Sequence, residues 1–171
     1  MIVISLLMRN VYMKKINAKK RMMFVQNDDY NYLCYVVILT LGYFSCFDKK
    51  TSFKDYRKIA FISNIIFFRN KNDWNDIYYK SQITQCTLLN VIAVLDENNI
   101  IGVDKEEVNK KVNIWLKDGG LYKSLIQSGF FSYEQDELLK IKSEIKRFKS
   151  LTLKTFLDKK FLPHGVSVWE V

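Results

Sequence analysis

Apolar and polar residues fall along this chain in blocks that suit helices better than strands. From Tyr30 to Phe47 the sequence carries no charge and includes the run YLCYVVILTLGYF. That block predicts a helix from about Asp28 to Ser45, with Asp28 or Asp29 near its start, where the macrodipole favours a carboxylate. Asn31, Thr40, Gly42 and Ser45 dilute the run and no second one of similar length follows. The pattern therefore favours a helix buried in a protein core over a membrane span. A second helix is expected from about Ser52 to Arg69. There Phe53, Tyr56, Ile59, Ala60, Ile62, Ile66 and Phe67 recur at helical spacing, and Ser52 with Asp55 fits an N-terminal cap. The Ile and Phe content leaves a strand within Ile59–Phe68 as the alternative.

Asn70–Lys80 (NKNDWNDIYYK) has no regular period and reads as an exposed connection. A third helix is expected over Gln82–Glu97, with Ile83, Leu88, Leu89, Ile92 and Leu95 facing inward. NNIIGV (Asn98–Val103) reads as a turn, and Asp104 with Glu107 as a capping pair opening a fourth helix to Lys117. Leu121–Phe131 is a short helical or bent element. The last helix opens near Ser132–Glu134, with an apolar seam of Leu138, Ile141, Ile145 and Phe148 stepping by three, four and three. Pro163 and Gly165 end it, and Val166–Val171 closes as a short strand or packed tail. The fold class expected is mostly α: a compact helical domain with a winged-helix-like unit at residues 82–117 and a basic amphipathic helix near the C-terminus. No internal repeat or low-complexity linker divides the chain, so residues 24–171 read as a single helical domain.

Charge sharpens this picture. The 171 residues hold 27 Lys and Arg against 18 Asp and Glu, a formal charge of +9. Six of those bases (Arg9, Lys14, Lys15, Lys19, Lys20 and Arg21) lie in Met1–Met23, which has no acid. That segment reads as a basic arm, or as an extension upstream of a start at Met22 or Met23, and it lacks the features of a signal peptide. The remainder is nearly balanced, 21 against 18, except at Lys140–Lys160, where eight bases face two acids. Lys142, Lys146, Arg147 and Lys149 are the candidates for contact with an anionic partner such as nucleic acid; a solvated helix face is the plainer reading.

Candidate chemistry is sparse. His164 is the single histidine, set between Pro163 and Gly165 in what reads as a turn, with no nucleophile signature beside it. Cys34, Cys46 and Cys86 are far apart in apolar surroundings, which suits buried thiols and not a disulfide framework or a zinc site. Asp96–Glu107 departs from a calcium loop, because Ile100 stands at a ligand position and Gly102 falls one residue late. Gly119-Gly120 is an isolated pair and not a phosphate loop. No catalytic, cofactor-binding or metal-binding residue is assigned. A helix-turn-helix built on residues 82–117 would present Asp104, Glu106 and Glu107 to phosphates, which disfavours base reading by that unit.

The first helix followed by FKDYRKIAFISNIIFF, the unit QCTLLNVIAVLDENNIIGV and the terminal WEV together resemble the small middle components of bacterial three-component ABC-ATPase defence systems of the Lamassu type. The resemblance covers residues 28–115 and the last few residues, and it carries no catalytic residue over. It implies a cytoplasmic, non-enzymatic accessory subunit without cofactor, bridging a large coiled-coil, SMC-like ATPase, an effector nuclease and DNA in anti-phage defence, with no membrane role. On this reading Leu138, Ile141, Ile145 and Phe148 are apolar anchors for the partner, the aromatic connection with Trp74, Tyr78 and Tyr79 is a second contact surface, and Lys142, Lys146, Arg147 and Lys149 are a basic flank. The alternative is a stand-alone nucleic-acid-binding regulator or antitoxin.

Overall fold

A computed structural model describes residues 30–68, 73–106, 111–145 and 147–168. The basic arm Met1–Met23, Asp28, Asp29, Glu107, Lys146 and the terminal WEV lie outside the described residues. Those described form six α-helices and one two-stranded sheet: α1 (Tyr30–Tyr43), α2 (Arg57–Phe68), α3 (Trp74–Glu97), β1 (Ile101–Glu106), β2 (Lys111–Leu116), α4 (Gly119–Gln127), α5 (Ser132–Glu144) and α6 (Leu153–Lys160). Short 3-10 turns occupy Phe148–Ser150 and Leu162–His164. The mostly α class is as the periodicity indicates.

Helix α1 is the axis of the fold. Every residue from Tyr32 to Gly42 is buried, and α2, α3, α4, α5 and β2 all pack against it. Its all-round apolar character, which raised the membrane question, is what a helix needs when neighbours cover every side. No helix among the described residues is long and apolar enough to cross a membrane. Gly42 lets α4 approach: a Cβ there would lie 2.2 Å from the ring of Tyr122.

Helix α2 starts five residues later than the cap pattern suggests. Phe53 instead forms an antiparallel bridge with Ile114, its amide donating to the Ile114 carbonyl at 2.8 Å. Asp55 takes a left-handed conformation, φ 62°, and its buried carboxylate accepts from the Arg57 guanidinium at 2.7 Å. Within Ile59–Phe68 the chain is helical, so the strand alternative does not occur.

The largest departures lie on either side of the expected third helix. The supposed connection up to Lys80 is, from Trp74 onward, the first two turns of α3, a helix of 24 residues. Asp73 caps it, accepting from the Asp76 amide at 3.1 Å. After Glu97 the supposed fourth helix is a hairpin, with Ile101 facing Leu116 and Glu106 facing Lys111 across an antiparallel ladder. The unit at residues 82–117 is thus a helix and a hairpin, not two helices. Asp104 sits within β1, where Lys49 pairs with it at 2.9 Å, and caps nothing. The physical reason is the β-branched run of Ile100, Ile101, Val103, Val112 and Ile114, completed by the Phe53 bridge; local capping cues lose to tertiary pairing. Gly102 serves this hairpin, since a Cβ there would meet the Trp115 ring at 2.2 Å.

The basic C-terminal helix is also divided. Helix α5 ends at Glu144, Ile145 is extended, and Arg147 is left-handed at φ 57°. The chain then turns through Phe148–Ser150 and re-enters α6, capped by Thr152, whose hydroxyl accepts from the Thr155 amide at 3.1 Å. The turn is held from inside by Lys58. This buried lysine donates to the carbonyls of Phe148 (3.0 Å), Lys149 (3.2 Å) and Leu151 (2.8 Å). Its ammonium lies 4.6 Å from the centroid of the Phe53 ring.

Candidate functional site

Two surfaces stand out, and the first is the outward face of α3. Its inward face steps through Ile77, Tyr78, Ser81, Thr84, Leu88, Val91, Ile92 and Leu95, all buried. The opposite face carries Tyr79 (53% exposed), Ile83 (71%) and Leu89 (49%), with Cys86 and Ala93 exposed among them. From Ser81 to Leu95 the helix has no charged residue. Its charges sit at the ends: Asp76 pairs with Lys80 (3.8 Å) at one, and Asp96, paired with Lys117 from beyond the helix (3.7 Å), and Glu97 lie at the other. A helix face turned to water ordinarily carries charges, so a large apolar stripe there marks a surface suited to contact.

The second is a cleft of about 580 Å³ between the C-terminal end of α1 and helices α4 and α5. Tyr43, Phe47 and Tyr122 line it, together with Lys123, Lys142, Gly42 and Gly119. The Phe47 and Tyr122 rings are 6.5 Å apart and tilted by 58°, and the Lys142 ammonium lies 5.1 Å over the Tyr43 ring. Burial holds both tyrosines above their usual pKa, so they stay neutral phenols at physiological pH, with the charge of Asp136 adding to the effect at Tyr43. The N-terminus of α4 beside the cleft is occupied by its own cap, the Asp118 carboxylate, which accepts from the Gly120 amide at 2.7 Å.

The residues singled out as partner anchors are placed otherwise. Leu138, Ile141, Ile145 and Phe148 are all buried in the hydrophobic core, Phe148 between Phe44 (5.2 Å) and Phe156 (5.1 Å). The seam is the inner face of α5 and of the turn after it, so these side chains hold the fold and offer nothing to a partner. Tyr78 is likewise fully buried, against Phe61 and Phe161. Trp74 is half-buried, edge-on to Phe161 and stacked on His164. Of the basic set, Lys142 and Arg147 are exposed and Lys149 is half-buried, its ammonium donating to the Phe44 carbonyl at 3.4 Å. The structure brings only Lys142 to the cleft.

The apolar spacing suggests Ile83 and Leu89 inward with Leu88. Helical geometry forbids this for Ile83, which points about 140° from Leu88 at 3.6 residues per turn, whereas Leu89, about 60° from buried Ile92, is left exposed by the tertiary packing. The thiols follow expectation in part: Cys34 and Cys46 are buried and Cys86 is exposed. Burial pushes the Cys46 thiol up to about 11, which keeps it protonated and unreactive at physiological pH. Comparison of the chain with protein-family models, curated proteins and solved structures finds no match.

Proposed function

We propose that this chain is a non-catalytic accessory subunit of a multi-protein complex, one that bridges an SMC-like ATPase, its effector and DNA in cytoplasmic anti-phage defence. The observation that carries the first part is the uncharged outward face of α3, with Tyr79, Ile83 and Leu89 turned to solvent. A chain of formal charge +9 that keeps charge off one long helix face has a surface where a partner can dock without desolvating ions. The resemblance of residues 28–115 to the middle components of Lamassu-type systems supplies the kind of partner: a large coiled-coil ATPase. Two of the groups that a catalytic role could use are engaged in packing. The imidazole of His164 lies flat on Trp74, and the Cys46 thiol is buried.

The experiment is affinity capture of the full chain from its native cells, run beside an Ile83→Ser/Leu89→Ser variant that changes no charge. The expected result is a large coiled-coil ATPase recovered with the wild type and lost with the variant. Recovery of the same proteins with both, or a wild-type chain that comes out alone, overturns the reading. The second reading, a stand-alone nucleic-acid-binding regulator, is favoured by the exposed Lys142 and Arg147; it predicts tight duplex DNA binding by the isolated chain that falls steeply with salt.

A further inference from the structure

We infer that the cleft between α1, α4 and α5 is a binding site for a nucleoside phosphate unit, taken either from a single-stranded nucleic acid or from a free nucleotide. This inference does not depend on the docking role of α3. The chemistry of the lining selects the ligand. Phe47 is 42% exposed and, with Tyr122 and Tyr43, lines a cleft of about 580 Å³ with aromatic rings rather than aliphatic side chains. That volume falls within the range of small-ligand sites. Planar bases stack on such rings whatever their sequence.

Charge sets the other half of the recognition. Lys123 and Lys142 flank the rings from two different helices, α4 and α5. Among the described residues neither takes part in an ion pair, whereas Lys49, Lys80, Lys117, Lys140 and Lys160 all do. Lys142 is steered over the cleft by its contact with the Tyr43 ring. Two cations outside any ion pair among the described residues, with Asp118 held as the α4 cap and Asp136 acting on Tyr43, flank an aromatic floor and match a base and its phosphate. An apolar ligand would have no use for the cations, and a bare anion none for the rings. The floor is also built for close approach. Gly42 lets Tyr122 lie directly on the α1 backbone, so that ring is seated on backbone.

The test is binding of the full chain at low ionic strength to three probes: oligothymidine, adenosine monophosphate and a blunt DNA duplex, read by fluorescence anisotropy and calorimetry. Oligothymidine is expected to bind more tightly than the duplex, with a salt slope of about −0.7 for each phosphate engaged. Phe47→Ala should weaken it by about tenfold, while Phe47→Tyr keeps the stacking face and restores it. Lys123→Ala/Lys142→Ala should weaken it by at least as much, while Lys154→Ala/Lys159→Ala, which removes equal charge outside the cleft, leaves it within about twofold. Adenosine monophosphate binding as tightly as the oligonucleotide assigns the source to a free nucleotide; weak binding assigns it to a single strand. The inference is overturned if neither probe binds, if the duplex binds as well as the single strand, if Phe47→Ala has no effect, or if both lysine pairs act equally. The Ile83→Ser/Leu89→Ser variant should bind the probes like wild type, so failure of the docking role and failure of this one are read separately.

Discussion

The imidazole of His164 lies flat on the indole of Trp74, ring centroids 3.9 Å apart and planes 6° from parallel. One ring opens α3 and the other belongs to the 3-10 turn near the C-terminal end of the described chain. The stack thus ties the two together, with the Lys160 ammonium 5.4 Å from the same indole and paired with Glu144. Partial desolvation, and secondarily the charge of Lys160, lower the pKa of His164 below 6.5, with Glu144 opposing. The imidazole is therefore expected to titrate below 6.5 in an NMR pH series. Protonation is disfavoured in the folded state, so this contact is fully kept above 6.5 and weakens as pH falls through the lowered value. Trp74→Leu should bring the midpoint back toward 6.5.

Lys58 is the second test. As an ammonium it donates three N–H groups to three backbone carbonyls in the turn before α6, yet burial pushes its pKa from 10.5 down to about 7, above which the amine keeps two of those N–H groups. Between those two values the unfolded chain holds the proton and the folded one does not. Stability should therefore rise with pH from about 7, by at most about 1.4 kcal/mol per unit. The Cys46 thiol, raised from 9.0 to about 11, acts in the opposite direction but only above 9, so urea melts between pH 7 and 9 isolate the lysine. Lys58→Met should abolish the slope. It should also destabilise the chain by about 2–4 kcal/mol, because the carbonyls of Phe148, Lys149 and Leu151 lose their donor.

The two faces of α3 should separate cleanly. Leu88→Ala, on the buried face, should cost about 2–5 kcal/mol in chemical denaturation. Ile83→Ser and Leu89→Ser, on the exposed face, should each stay within about 0.5 kcal/mol of wild type. Equal losses on both faces would show that the outward stripe is covered by the chain itself.

Gly42 and Tyr122 should behave as a coupled pair. Alanine at a helical glycine ordinarily gains about 1 kcal/mol, but here the added carbon would strike the Tyr122 ring. Gly42→Ala alone should lower the melting temperature, with a cost of about 1–3 kcal/mol from overpacking. In a Tyr122→Ala background the same change should become neutral or stabilising, a sign reversal that a double-mutant cycle measures directly.

Phe148→Ala tests the fate of the α5 seam. Because its ring sits among Phe44, Phe53 and Phe156, truncation should cost about 3–5 kcal/mol. A docking residue would instead leave the melt unchanged.

The parts of the fold legible in the sequence are those where a local pattern and its tertiary surroundings agree. The uncharged run from Tyr30 marks α1, the spacing of Ile59, Ile62 and Ile66 marks α2, and the core of α3 is visible in Leu88, Ile92 and Leu95. Trp74–Lys80 was obscured because Asn and Asp dominate its exposed positions, and these imitate a loop until Asp73 is seen to cap a helix. The α5 seam of Leu138, Ile141, Ile145 and Phe148 was recognisable as apolar, but periodicity cannot say whether such a stripe meets its own core or another chain. The cleft left no local signal at all, since Tyr43, Phe47, Tyr122, Lys123 and Lys142 come from three separate stretches.

By itself the sequence determined the helical class and the need to bury α1, because hydrophobic spacing within a segment and the cost of leaving it in water are properties of that segment alone. Only the tertiary structure decided that residues 101–116 are a hairpin and that the α5 seam faces inward. The same holds for the stripe of Tyr79, Ile83 and Leu89 left in water. Each of those outcomes depends on what lies across from the segment: the Phe53 bridge to Ile114, the aromatic cluster around Phe148, and the absence of a covering element over the outer face of α3 among the described residues.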